Sequence, residues 1–296
     1  MKVHLRLTKL SLFSVPAILL LLAVLIFPLF YSLTSSLFRW SIARPFLGGA
    51  FLGLGNYLTA LTDAAFLRAV FNTLLFTSLT VTIEILLGLG IAHLFLGEFF
   101  GKSLFETILF LPVVVTPVAV GVIWRILLQT DVGFACYLLS LISGRATTIL
   151  SDPFAAFAAL VLIDVWQTTP FSFVMLFAGL QSLPREPYEA AYLEGANWHQ
   201  RLRYLTVPLL KPVIIVVILI RIMDAFRIFD TIYILTGGGP GNATESVSTF
   251  TYRIAFQYFN TGYASALSYL TFILTVILTL GSALLFRWRK VSASEL

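Results

Sequence analysis

Asp164, Gln167, Thr168 and Phe171 stand at offsets of 3, 4 and 7 residues within an otherwise apolar run. On a helix those offsets bring all four side chains to one face. Trp166 and Thr169 lie nearby. A second apolar run carries Arg221, Asp224 and Ile228 on one face, flanked by Arg227 and Asp230, and a third holds Glu84 near its middle. Ionisable groups in such runs are costly in lipid and turn toward a bundle interior or a water-filled cavity. Carboxylates and an amide can hydrogen-bond hydroxyl groups, and an aromatic ring can stack on an apolar face of a solute. The candidate solute contacts are therefore Asp164, Gln167, Thr168, Phe171, Arg221, Asp224 and Ile228. The alternative is structural pairing at i, i+3, of Arg221 with Asp224 or Arg227 with Asp230. Pairing or gating is the favoured role for the last two. Arg221 also leaves an anionic solute open.

The elements that must hold these residues are membrane helices. Hydrophobic residues make up 59% of the 296-residue chain and charged residues 11%, where soluble domains carry about a quarter charged. Six runs are long enough to cross a bilayer, at about 11–36, 68–96, 104–128, 154–181, 208–235 and 262–287. Lipid cannot satisfy backbone amides, so each must be a helix, and Pro28, Pro112, Pro117 and Pro170 fall inside them. The first run is too long for a secretory leader and lacks a clear cleavage site, which predicts that it is retained. Loop charge sets orientation. With the N-terminus inside, Lys2, Arg6, Lys9, Lys102, Arg185, Arg201, Arg203, Lys211, Arg287, Arg289 and Lys290 are internal, against Arg39, Arg44, Arg145 and Arg253 outside. Both termini and the island at 182–207 are then cytoplasmic. The net charge of +5 marks topology rather than nucleic-acid binding. The outer loops, about 37–67, 129–153 and 236–261, are too small for a soluble catalytic core. The last opens on Gly237-Gly238-Gly239-Pro240, a turn-rich segment. Val247, Phe250, Ile254 and Tyr258 then predict an amphipathic helix along the outer membrane face.

The island is a patterned polar stretch. Pro187 can start a helix and Glu189 suits its positive end. Gly195 permits a positive φ, so a second short helix can leave at an angle through Trp198 to Tyr204, with Pro208 ending it. The small residues Ala190, Ala191, Gly195 and Ala196 allow close approach of a partner. An ordinary loop with a short interfacial helix would fit the spacing as well.

Glu189, Ala190, Ala191, Gly195, Leu205, Val207 and Pro208 resemble the EAA motif of permease subunits of binding-protein-dependent ABC importers. Pro212 matches a frequent downstream proline, while Glu194 stands where Asp is common. The run from Phe229 through Pro240 and the Gly262-Tyr263-Ala264-Ser265-Ala266 segment resemble carbohydrate permeases of the maltose and glycerol-phosphate type. The resemblance implies an all-α bundle of six transmembrane helices with the type I ABC importer permease fold, in a prokaryotic inner membrane. It implies a permease domain at 11–290 between a cytoplasmic N-terminus, 1–10, and a tail, 291–296. It also implies a second permease subunit, two cytoplasmic ATPase subunits that bind the ATP, an extracytoplasmic solute-binding protein and a carbohydrate substrate. ATPase coupling then falls to Glu189, Ala190, Ala191, Gly195, Ala196 and Pro208. No cofactor and no catalytic residue are expected in this chain.

Other chemistry finds little support. Gly97-Glu98-Phe99-Phe100-Gly101-Lys102-Ser103 has three residues between its glycines, where a phosphate-binding loop needs four and a preceding strand. Asn242-Ala243-Thr244 has the glycosylation triplet, which occurs often by chance. His4, His93, His199 and Cys136 show no metal-ligand spacing. An ion-driven secondary transporter would use Glu84, Asp164 and Asp224 as a proton relay, but such proteins are usually built from internal repeats, and none is evident here.

Overall fold

The computed structural model describes residues 14–41, 49–130, 132–143 and 148–291. Lys2, Arg6, Lys9, Arg44, Arg145 and nearly all of the 291–296 tail lie outside them, as do the side chains of Arg287, Arg289 and Lys290. Among the described residues five helices are long and apolar enough to cross a membrane, and six if one sharply bent pair counts as a span. The expected all-α polytopic bundle is thus observed. Its contacts divide into two units, 1–67 with 251–273, and 68–250 with 274–296.

In the first unit, α1 (Ser14–Ser36) runs through a π turn at Leu22–Ile26, just before Pro28. A short hairpin follows, β1 (Phe38–Arg39) against β2 (Ala50–Phe51), with Phe38 opposite Phe51. Next comes α2 (Gly55–Thr62). Asn56 Nδ2 donates to the carbonyls of Ser36 and Phe38 at 2.7 and 3.0 Å, which closes the end of α1 on the hairpin. The Gly262-Tyr263-Ala264-Ser265-Ala266 segment opens the last helix, and its residues 263–266 are buried. Gly262 N donates to the Trp40 carbonyl at 2.9 Å, and a Cβ there would collide with the Phe38 carbonyl oxygen. Tyr263 Oη donates to Asp63 at 2.8 Å.

The second unit is built around a long helix pair. α3 (Ala64–Leu94) and α7 (Pro153–Gln181) carry an apolar core with Phe76, Leu160, Ile163 and Val165 at one end, and Ala92, Phe173 and Leu176 at the other. Gly88 lets the backbones meet: a Cβ there would stand 3.0 Å from Phe173 N. Asp152 caps α7, accepting from Ala155 N at 2.7 Å.

The third apolar run differs from expectation. It forms two helices, α4 (Lys102–Val114) and α5 (Pro117–Leu127), bent by 96°. Pro117 causes the break, because the residue before a proline is pushed out of the α region; Thr116 is extended, with ψ 144°. Pro112, by contrast, sits inside α4 without ending it. The outer segment expected as loop at 129–153 contains α6 (Phe134–Ser143).

After α8 (Glu186–Leu193), Trp198–Arg201 leads directly into a π turn, Leu202–Thr206, and on into Val207–Phe226. We treat these as one helix, α9. Pro208 therefore does not end the elbow, as its sequence position suggests, but lies within a continuous helix. Proline lacks an N–H and crowds the carbonyl four residues earlier. The π turn places that carbonyl, of Tyr204, in a wider loop where Val207 N bonds back to Leu202. The fifth run is then interrupted at Arg227–Phe229 before α10 (Asp230–Leu235). α11 (Val247–Tyr252) fills the predicted amphipathic segment but buries Val247 and Phe250. α12 (Thr261–Val291) ends the described chain.

Replacing Gly262 by Ala should lower stability by about 1–3 kcal/mol through overpacking, because the obstructing atom is backbone and cannot swing aside. A thermal-unfolding series of purified protein in detergent, with Gly281→Ala as the control in open space, measures the difference.

Candidate functional site

Three spans contribute one charged group each to a buried contact. Arg221, on α9, donates through Nε to Glu84 Oε2 at 2.5 Å and through Nη2 to Glu84 Oε1 at 2.9 Å. The same Nη2 reaches Asp164 Oδ2, on α7, at 3.0 Å. Glu84 is 0% exposed, Arg221 4% and Asp164 9%. Two-pronged pairing of this kind combines charge and fixed geometry. Thr168 Oγ1 lies 2.6 Å from both Glu84 Oε1 and the Asp164 carbonyl, and can donate to either. Arg221 therefore pairs across helices and not with Asp224, the local partner its spacing suggests. Asp224 instead meets Arg227 at 3.4 Å, in a solvent-exposed contact.

Gln167 has a specific task. Its Nε2 donates at 3.0 Å to the Val115 carbonyl, at the bend between α4 and α5. A broken helix leaves carbonyls without intrahelical donors, and an amide from α7 supplies one here.

These groups surround a cavity of about 390 Å³. Asp164, Gln167, Thr168, Arg221, Asp224 and Ile228 all line it, six of the seven candidates read from sequence. Phe171 does not; it packs with the apolar cluster around Phe173 and Leu176. Pro117, Ala225, Arg227, Phe229, Asp230 and Thr231 complete the wall. The breaks before Pro117 and after Phe226 bring in Pro117, Phe229 and Thr231, which no helical period across those breaks would have found; Arg227 and Asp230 were read from sequence as flanking residues for pairing or gating. Glu84 sits behind Arg221; its position at mid-span was the one available signal.

The elbow lies at the other end of α9. α8 closes with a Schellman arrangement: Gly195 N bonds to the Tyr192 carbonyl at 3.1 Å and Ala196 N to the Ala191 carbonyl at 2.9 Å. Gly195 has φ +77° with open space around it, so its conformation, not crowding, calls for glycine. Asn197 starts α9 with a reciprocal cap to Gln200. Glu189 and Ala190 are exposed, Ala191 and Ala196 half-buried, and Pro208 is exposed on α9. Leu193 is 86% exposed and Tyr192 71%. Tyr188 Oη donates to Thr206 Oγ1 at 3.1 Å, tying α8 to α9. Beneath lies a cleft of about 1050 Å³ whose walls include Lys102, Arg185, Glu189 and Arg201. Lys102, the residue that gives its loop a phosphate-binding look, pairs with Glu98 at 3.4 Å.

A helical membrane bundle with a polar cavity between its spans, and an exposed elbow on a helix that lines the cavity, is the architecture of a membrane transport component. The chain belongs to the family of binding-protein-dependent transport system inner membrane components, whose model matches residues 84–294. It is 38% identical over 275 residues to a probable ABC transporter permease protein of Sinorhizobium fredii, covering 92% of this chain and 89% of that one. It is 39% identical over 243 residues to the trehalose/maltose transport system permease protein of Thermococcus litoralis, covering 81% of each. A solved bacterial alginate ABC transporter, in complex with an alginate pentasaccharide-bound periplasmic protein, matches with a TM-score of 0.81 at 21% identity, over 95% of this chain and 94% of that one. The fold is that of a type I ABC importer permease, and the chain is a multi-pass transport subunit.

Replacing Arg221 by Met should cost about 3–5 kcal/mol, because it leaves two buried carboxylates uncompensated. Adding Glu84→Leu should recover part of that loss. Detergent thermal-unfolding midpoints of both single variants and the double variant give the coupling, and additive losses would contradict the pairing.

Proposed function

We propose that the protein is the permease subunit of an ATP-driven importer for a sugar or sugar derivative. It shares the translocation path with a second permease. The elbow faces the cytoplasm, consistent with Lys102, Arg185, Arg201, Arg203 and Lys211 near that end. Both termini lie on the same side. Two ATPase subunits, which hold the ATP, dock on the elbows of the two permeases. An extracytoplasmic binding protein delivers the solute to the opposite face.

The observation that carries this reading is the continuity of α9. Trp198 at the elbow and Arg221 at the cavity share one helix, about 35 Å apart at 1.5 Å per residue. A push on the elbow is delivered to the cavity wall along a hydrogen-bonded rod. Glu189, Ala190, Ala191, Gly195 and Ala196 offer the ATPase a polar end, small side chains and a fixed turn, with Leu193 and Tyr192 as apolar contacts, and Pro208 continues that surface onto α9. Coupling then requires that the ATPase grip the elbow differently in its nucleotide states, since only differential affinity shifts an equilibrium. In the cavity, Asp164, Gln167, Thr168 and Asp224 supply hydrogen bonds to sugar hydroxyls, with Arg221 fixing the acids and Ile228 giving apolar contact. Phe171 supports this face from the neighbouring core. The sugar class is supported by the trehalose/maltose and alginate systems to which the chain is similar.

The test is co-purification and uptake. With Gly195→Val, a β-branched residue that resists positive φ, the complex should insert normally yet retain less than a tenth of the ATPase and of ATP-dependent trehalose uptake. Equal ATPase recovery with full uptake would sink the elbow reading. Uptake by this chain alone, without ATP, would sink the importer reading.

A further inference from the structure

The charges around the cavity are unequal in number and in freedom. Four carboxylates, of Glu84, Asp164, Asp224 and Asp230, stand at or directly behind the wall, against the two guanidiniums of Arg221 and Arg227. Arg221 is the deeper cation, and its Nε and Nη2 are already committed to Glu84 and Asp164. Two carboxylates share this one guanidinium, so the buried group carries a net negative charge, and a solute anion approaching the remaining Nη1 would meet Glu84 and Asp164 as like charges close by. Arg227 lies at the mouth, paired with Asp224 at 3.4 Å and followed by Asp230. Among the described residues lining the cavity, no guanidinium or ammonium stands apart from an acidic neighbour.

We infer that this wall selects for an uncharged polyhydroxylated solute and excludes anionic sugars such as phosphorylated or sulfonated ones. The inference rests on the sugar reading above and narrows it. Arg221 is then a positioning residue that fixes the geometry of Asp164 and Glu84. Rejection of the anion comes from Asp224 and Asp230, whose carboxylates meet the entering solute and repel like charge. Specificity of this kind is built as much by repulsion of the wrong ligand as by attraction of the right one.

Saturation-transfer NMR on the detergent-solubilised permease–ATPase complex, without binding protein, reads contact between solute and transporter directly. The probes are trehalose and trehalose 6-phosphate, titrated against wild type and the Asp224→Asn/Asp230→Asn double variant. Both substitutions lie at the exposed mouth, where folding is not at stake. The expected result is saturable transfer to trehalose in the wild type, at least tenfold weaker binding of the phosphate, and in the double variant a gap several-fold narrower because the phosphate binds more tightly; a gap narrowed only by weaker trehalose binding overturns the inference. Equal binding of both probes to wild type overturns the inference and leaves the sugar reading standing. A gap of unchanged size in the double variant also overturns it, by removing the aspartates as its cause. Binding of neither probe, nor of any sugar in a panel of neutral mono- and oligosaccharides, overturns the sugar reading itself, and this inference with it.

Discussion

The contact of Arg221 with Glu84 and Asp164 is the constraint around which the second unit is organised. Each group alone would be intolerable in the apolar interior of a span. Together they require α3, α7 and α9 to meet at one level, because a guanidinium can serve two carboxylates only if both approach its fork in plane. Such a network adds little net stability compared with apolar packing. Its physical effect is register: sliding any of the three helices by one turn would strand a charge. The glycine contacts do the same with backbone, as at Gly88 against Ser172 and Phe173, and at Gly179, where a Cβ would come within 2.7 Å of Leu210.

Around that fixed point the prolines within the spans meet different fates. Pro28 and Pro208 each follow a π turn by two residues, and the helix passes through them. Pro112 and Pro170 lie inside helices with neither a π turn nor a break, whereas at Pro117 the helix breaks by 96°. The difference shapes the site. Continuity at Pro208 makes α9 a single rod from elbow to cavity, while the break at Pro117 turns a span into a cavity wall and exposes the Val115 carbonyl that Gln167 then satisfies. The membrane tolerates such irregular backbone only where protein or a cavity surrounds it, as it does here.

Much of this was legible in the residues. The offsets of Asp164, Gln167 and Thr168 put them on one face, and that face does line the cavity, because helical periodicity is a local property that tertiary packing leaves intact. Gly195 announced a turn because positive φ is nearly closed to other residues, and the turn is there. Phe171 shared the period but not the destination: it lies one to two turns along from the others, at the level of the Phe173 cluster. Periodicity gives a direction around a helix and is silent on what stands opposite at each height.

Composition, spacing and turn chemistry determined that this chain is a bundle of membrane helices with a polar face on two of them and a glycine elbow between the fourth and fifth apolar runs. Those features depend on residues within a few positions of one another, so the order of the chain contains them. The partner of Arg221, the fate of each proline and the walls of the cavity were decided only by the tertiary structure. They depend on which residues 57 or 137 positions away arrive within 3 Å, and no local rule of helix geometry specifies that meeting.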